Sequence, residues 1–161
     1  MWIQLTDDLR ERARSEVEHR LPRTVNKTGG TVEEHRERML NGKLVEVAVS
    51  DYVRRRWPLR WLPASNAGDF ERWAADDFRI KDKLGVLRVD VAGPNKTGLW
   101  GKTSFNKPSA DLHLCGRLAH GQVEAVGWLK PAEFAAGASQ RPHDWASFEA
   151  WMDNYATVKG A

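Results

Sequence analysis

The chain has 161 residues, 29% charged and 41% hydrophobic, which suits one domain large enough for a real core. Its 25 Lys and Arg against 22 Asp and Glu leave a net charge of +3, so basic patches can form without an overall basic field. A single cysteine, Cys115, excludes an intramolecular disulfide and a cysteine-rich zinc site, and no apolar run is long enough to span a membrane, so a cytoplasmic protein without a signal peptide is expected.

Thr6-Asp7-Asp8 starts a helix, with a hydroxyl cap and acids where the helix dipole favours them. The pattern predicts a mostly charged surface helix to about His19, stopping before Pro22, then a loop over 23–30. Thr31-Val32-Glu33-Glu34 is a capping-box pattern that opens a long helix to about Arg56, with a break allowed at Asn41-Gly42. Its second half is apolar almost all round, as in a buried helix, with Glu46 in the middle. Glu46 shares its face with Gly42, Val49, Ser50 and Val53 and can pair with Lys43 or Arg54. Arg54-Arg55-Arg56, followed by Trp57 and Trp61, reads either as a solvated helix end or as a phosphate-contacting patch. Residues 63–68 read as a loop and 70–75 as a short helix or turn.

Residues 77–92, DFRIKDKLGVLRVDVA, read as a β-hairpin: two apolar, β-branched runs around a polar turn ending in Gly85. Asp77 opens the first run, and Asp90 lies near the end of the second. A carboxylate inside an apolar strand is expensive unless it faces solvent, caps a loop or meets a cation. Of the adjacent Asp76 and Asp77, Asp77 is preferred as the functional acid because Phe78 follows it directly.

Residues 93–108 are rich in Gly, Pro, Asn, Lys and Thr. Gly101-Lys102-Thr103 imitates the end of a phosphate-binding loop, but Lys96 stands where the required glycine should be, so no nucleotide cofactor is expected. Lys96, Lys102 and Lys107 instead suggest a basic, nucleic-acid-facing segment, with Trp100 and Phe105 as anchors. Residues 110–115 and 122–129 read as strands joined through a turn in 116–121, and His113 as a hydrogen-bonded strand histidine. A short helix begins at Pro131. A last helix from about Asp144 aligns Trp145, Phe148, Trp151 or Met152, and Tyr155 for core packing or a subunit contact.

An Asp, a short hairpin, and an apolar-Asp-Val run ending the second strand together resemble the PD-(D/E)XK nuclease superfamily, the restriction-endonuclease-like and Holliday-junction-resolvase-like enzymes. Asp77 matches the first acid and Asp90 the second. Val45-Glu46-Val47-Ala48 is similar to the Gly-Glu-x-Ala-like helix pattern, with Val45 replacing glycine, which makes Glu46 the third acid. The resemblance covers residues 31–134 and rests on few motif residues. It implies an α/β fold with a mixed central sheet flanked by helices, as one domain over 1–161, with 1–30 as N-terminal helix and loop and 144–158 as C-terminal helix. It also implies a small intracellular or phage-type endonuclease acting on DNA, branched DNA included, with a homodimer possible by analogy. The expected cofactor is Mg²⁺ or Mn²⁺, held by Asp77, Asp90, the carbonyl of Val91, and Glu46. Arg54, Arg55, Arg56, Lys96, Lys102 and Lys107 would contact DNA.

The resemblance breaks at one catalytic position: Ala92 stands where the family has its lysine. Three accounts are open: an engineered Lys→Ala change, a lysine supplied by Lys81, Lys83, Lys96 or Lys102, or a natural binder that does not cut. The expectation is that the chain binds metal and DNA but cuts poorly. The alternative function is a nuclease-like module that only binds nucleic acid or protein, and a third reading is an unrelated α/β domain with surface acids.

Overall fold

In the computed structural model, α1 (Asp7–Thr28) and α2 (Val32–Arg56) form a helical hairpin that packs on a seven-stranded sheet. The structure describes residues 1–28, 30–66, 76–102 and 110–158, without the side chains of 22–28 and 155–158. Phe105, Lys107 and the stretch 70–75 lie outside the described residues, as does the side chain of Tyr155.

Thr6 caps α1, its Oγ1 accepting from the Leu9 N–H at 3.2 Å. Leu5, Leu9, Ala13, Val17 and Leu21 recur every fourth residue and are all buried, so the few apolar positions of this charged segment form a single packed stripe. The helix passes through Pro22 and reaches Thr28, correcting both the stop expected near His19 and the loop expected over 23–30. Proline removes one backbone hydrogen bond and crowds the preceding turn. Here α1 runs antiparallel to α2 along its length, as the Arg12–Asp51, Glu16–Lys43 and Glu18–Arg36 pairs show, and that packing outweighs one lost bond. Thr31 caps α2 by accepting from the Glu34 N–H at 3.2 Å. The helix continues unbroken through Asn41-Gly42; a helical glycine costs only about 1 kcal/mol relative to alanine.

The sheet order is β1 (Trp2–Ile3), β6 (Gln122–Leu129), β5 (Leu112–Ala119), β4 (Gly85–Ala92), β3 (Phe78–Asp82), β2 (Trp61–Pro63), with β7 (His143–Asp144) also on β6. All neighbours are antiparallel except β4 and β5, which run parallel. The molecule is thus a mixed α/β structure in which two antiparallel units meet at one parallel seam. The expected hairpin is β3–β4, closed between Asp82 and Gly85. The β5–β6 turn is His120-Gly121, both in the left-handed region, rather than the whole of 116–121. Gly116 belongs inside β5, next to a bulge after Cys115.

Alternation along the strands sorts the sheet into two faces. Phe78, Ile80, Val89, Val91 and Leu114 pack in the main core with α2 and with Trp145, Phe148 and Met152 of α4 (Trp145–Val158). Trp145, Phe148 and Met152 of the α4 stripe are buried in the core, while Trp151 is 38% exposed. On the other face, Ala92, Trp100, Cys115, Leu129 and Phe134 of α3 (Pro131–Ala135) form a second, smaller cluster. Gly116 brings α2 onto the sheet: a Cβ there would lie 2.9 Å from a Val45 methyl. The neighbour of Val45 on the helix is Glu46.

Candidate functional site

Asp77 sits just before β3. With Phe78 opposite Val89, its place in the ladder faces Asp90. Its N–H donates to the Val89 carbonyl at 2.7 Å, and its own Oδ2 accepts from the Val91 N–H at 2.7 Å. The carboxylate is therefore stapled to the end of β4, at the opening of the hairpin. Asp76, its neighbour, turns elsewhere: its Oδ2 accepts from the N–H and hydroxyl of Ser65 at 3.2 and 2.7 Å. The two adjacent acids divide into one that ties a loop and one that faces the hairpin.

On α2, Lys43 Nζ lies 2.5 Å from Glu46 Oε2 and 3.1 Å from Glu16 Oε2, so the Lys43 pairing considered for Glu46 is present. Burial works against the Lys43 charge, yet Glu46, Glu16 and Asp77 outweigh it and raise the ammonium's pKa. Asp77 retains some solvent contact but is walled in by protein atoms. That desolvation, together with the charges of Glu46 and then Asp90, pushes its pKa well above the usual carboxylate range, against the pull of the Val91 N–H and Lys43. Asp77 is thus near enough to feel both Glu46 and Asp90. Sequence reading treated Lys43 only as a surface partner; its spacing of three from Glu46 was the available signal.

Asp90 is 7% exposed and lies opposite His113 across the parallel seam. Its Oδ2 is 2.8 Å from His113 Nδ1, and the His113 ring stacks on Phe134 with centroids 3.8 Å apart and planes 4° from parallel. Asp90 is therefore neither on a solvated face nor a loop cap. Burial, with a contribution from Asp90, raises the Cys115 pKa, so that thiol stays protonated and inert.

Ala92 is 7% exposed among Trp100, Cys115, Leu129 and Phe134, and its carbonyl accepts from Trp100 Nε1 at 3.0 Å. That setting suits a methyl group, and a lysine there would have to bury its charge or reach past the cluster. Trp100 is an anchor, as expected. Gly101 answers a packing need: with φ at +134°, it lies so close to Gly137 that a Cβ would fall 1.7 Å from that residue's carbonyl oxygen. The Trp100–Gln140 bridge and a hydrogen bond from Asn95 to the Ala138 carbonyl hold the same loop.

The expected DNA contacts fall into two groups. Arg54 and Arg55 pair with Asp51 at 2.7 and 2.8 Å, and Arg56 with Asp153 at 3.5 Å. At 1.5 Å per residue, this helix end lies about 12–15 Å from Glu46 along α2. Lys96 is exposed, and Lys102 is half-buried with its N–H donated to the Phe134 carbonyl at 2.9 Å, beside the His113 stack. Lys81 pairs with Val86, toward the hairpin turn and away from Asp77.

Among the described residues, no group of three or more His, Cys, Asp or Glu side chains is drawn together tightly enough to hold a metal ion as it stands. The donor chemistry nonetheless fits a hard cation: three carboxylates, one of them with its pKa raised by burial and then by its neighbours' charge. No helix among the described residues is long and apolar enough to cross a membrane. No family model, curated protein or solved structure matches the chain.

Proposed function

We propose that this chain is a divalent-metal-dependent DNA endonuclease of the PD-(D/E)XK type, in a form poorly equipped to cut. The observation that carries the reading is the hairpin geometry that sets Asp77 opposite Asp90 with its carboxylate fixed by the Val91 N–H, where burial and then the charges of Glu46 and Asp90 raise its pKa. Elsewhere the molecule neutralises its buried acids: Asp51 alone receives Arg12, Arg54 and Arg55. Here Glu46 and Asp77 share Lys43, which also serves Glu16. Like charges gathered at a half-buried place are costly, and a divalent cation is the partner that removes the cost. The helix-flanked mixed sheet with the acidic hairpin inside it is compatible with a restriction-endonuclease-like arrangement.

Asp77 and Asp90 would hold Mg²⁺ or Mn²⁺ directly, with the Val91 carbonyl beside them, and Glu46 would orient a water or hold a second ion. Such an ion lowers the pKa of water and neutralises charge on a phosphodiester. Of the chain's own groups, Val91 N–H fixes the Asp77 carboxylate, His113 fixes Asp90, and Lys43 supplies positive charge beside Glu46. Lys96 and Lys102 are better placed than Arg54, Arg55 and Arg56 to meet phosphates, since Asp51 and Asp153 engage the arginines.

The second reading, a module that binds DNA without cutting, is favoured by the apolar surroundings of Ala92. Nicking of supercoiled plasmid in Mg²⁺ separates the two. The nuclease reading expects slow nicking that Asp77→Asn and Asp90→Asn abolish. Losing one acid–base or charge-stabilising group typically costs about 10²- to 10⁴-fold, which sets the sensitivity the assay needs. DNA binding with no nicking at that sensitivity selects the second reading.

A further inference from the structure

The polar pair between β4 and β5 does more than satisfy itself. Asp90 and His113 are register partners across the parallel seam, so both side chains leave the sheet on the same face. With Asp90 ionised, as a metal ligand must be, its carboxylate only accepts, and the 2.8 Å contact is then donated by His113 Nδ1–H. The ring is 1% exposed and cannot reach a phosphate, which removes it as a general base. It is also immobilised: Phe134 lies flat against it, and Phe134 is itself held by backbone hydrogen bonds, its N–H to the Lys130 carbonyl and its carbonyl from the Lys102 N–H. A buried polar pair of this kind adds little stability over two well-packed apolar side chains. Its distinctive effect is geometric, because a locked imidazole holds the partner carboxylate in one rotamer.

We infer that His113 is a positioning residue for Asp90, presenting its carboxylate to a divalent cation bound with Asp77. This rests on the metal-binding reading above. Partners of metal ligands that act in this way typically contribute about 10- to 100-fold to metal affinity.

The test is Mn²⁺ binding to the whole chain, followed by electron paramagnetic resonance, with folding checked by circular dichroism. The expected pattern is binding by the wild type, loss in Asp90→Asn, and about 10- to 100-fold weaker binding in His113→Leu. His113→Asn places an amide N–H near the Nδ1 position and should restore most of the affinity, a rescue that simple space-filling would not give. Phe134→Leu keeps the imidazole but frees it to turn, and should weaken binding to a smaller degree; it carries the test if His113→Leu does not fold. Wild-type binding that Asp90→Asn abolishes but that folded His113→Leu or Phe134→Leu leaves unchanged overturns the role of His113 alone. No Mn²⁺ binding by the wild type overturns the metal reading and this inference with it.

Discussion

Asp77 carries the energetic signature of the site. Its raised pKa means that the folded chain holds this proton more tightly than the unfolded chain does. The associated stability is fully present below the ordinary carboxyl value of 3.8 and is lost as pH rises through the higher folded-state value. Asp77→Asn keeps an oxygen for the Val91 N–H and removes the charge. In chelator, the variant should therefore match the wild type near pH 3.5 and exceed it in urea resistance at pH 7 to 8. A stability difference independent of pH would show that the crowding is absent in solution. The neighbouring Asp76 holds Ser65 instead.

At the scale of elements, the decisive contact is α2 on β5. Gly116→Val would drive methyl groups into Val45, whose Cγ1 already lies 2.9 Å from an added Cβ. Overpacking of this kind costs about 1–3 kcal/mol. Val45→Ala should return part of it, so a double-mutant cycle by urea denaturation is expected to show coupling. The same elements show what local pattern could reveal. The capped α2, the β3–β4 hairpin, β6 and α3 follow from caps, alternation and a proline, signals that reside within a few residues. The two- and three-residue strands β1, β2 and β7 are too short to have a period, and α1 outran Pro22 because its stability comes from a partner helix. That Asp77 faces Asp90 while Asp76 ties Ser65 follows from the alternation set by Phe78. The Asp90–His113 pair was not legible, since a parallel register between strands separated by a long connection leaves no local mark. Nor was the reach of Lys43 to Asp77, which depends on how α2 settles on Gly116.

For the molecule as a whole, the modest net charge of +3 puts the weight on where cations stand. If Lys96 and Lys102 meet phosphates, replacing both with Gln should reduce the slope of log affinity against log salt by about 2. Arg54→Gln with Arg55→Gln should change the slope much less, because those guanidiniums are already paired with Asp51. Fluorescence anisotropy with a labelled duplex across a salt series measures both. Equal losses in the two variants would move the DNA path to the far end of α2.

The parallel junction of β4 and β5 also bears on how the protein breathes. The β3–β4 and β5–β6 hairpins each close through a short turn, whereas β4 and β5 are joined in sequence by the long passage from Ala92 to Leu112, so transient opening should concentrate there. Asp90 and His113 bridge the two sides at that line. An ion that fixes Asp90 beside Asp77 also fixes its hydrogen bond to His113 across the seam, so it should slow deuterium uptake at the amides of Ala92, Leu114 and Cys115 more than at the β5–β6 turn. Uniform protection across the sheet on adding Mn²⁺ would mean that the two halves open together.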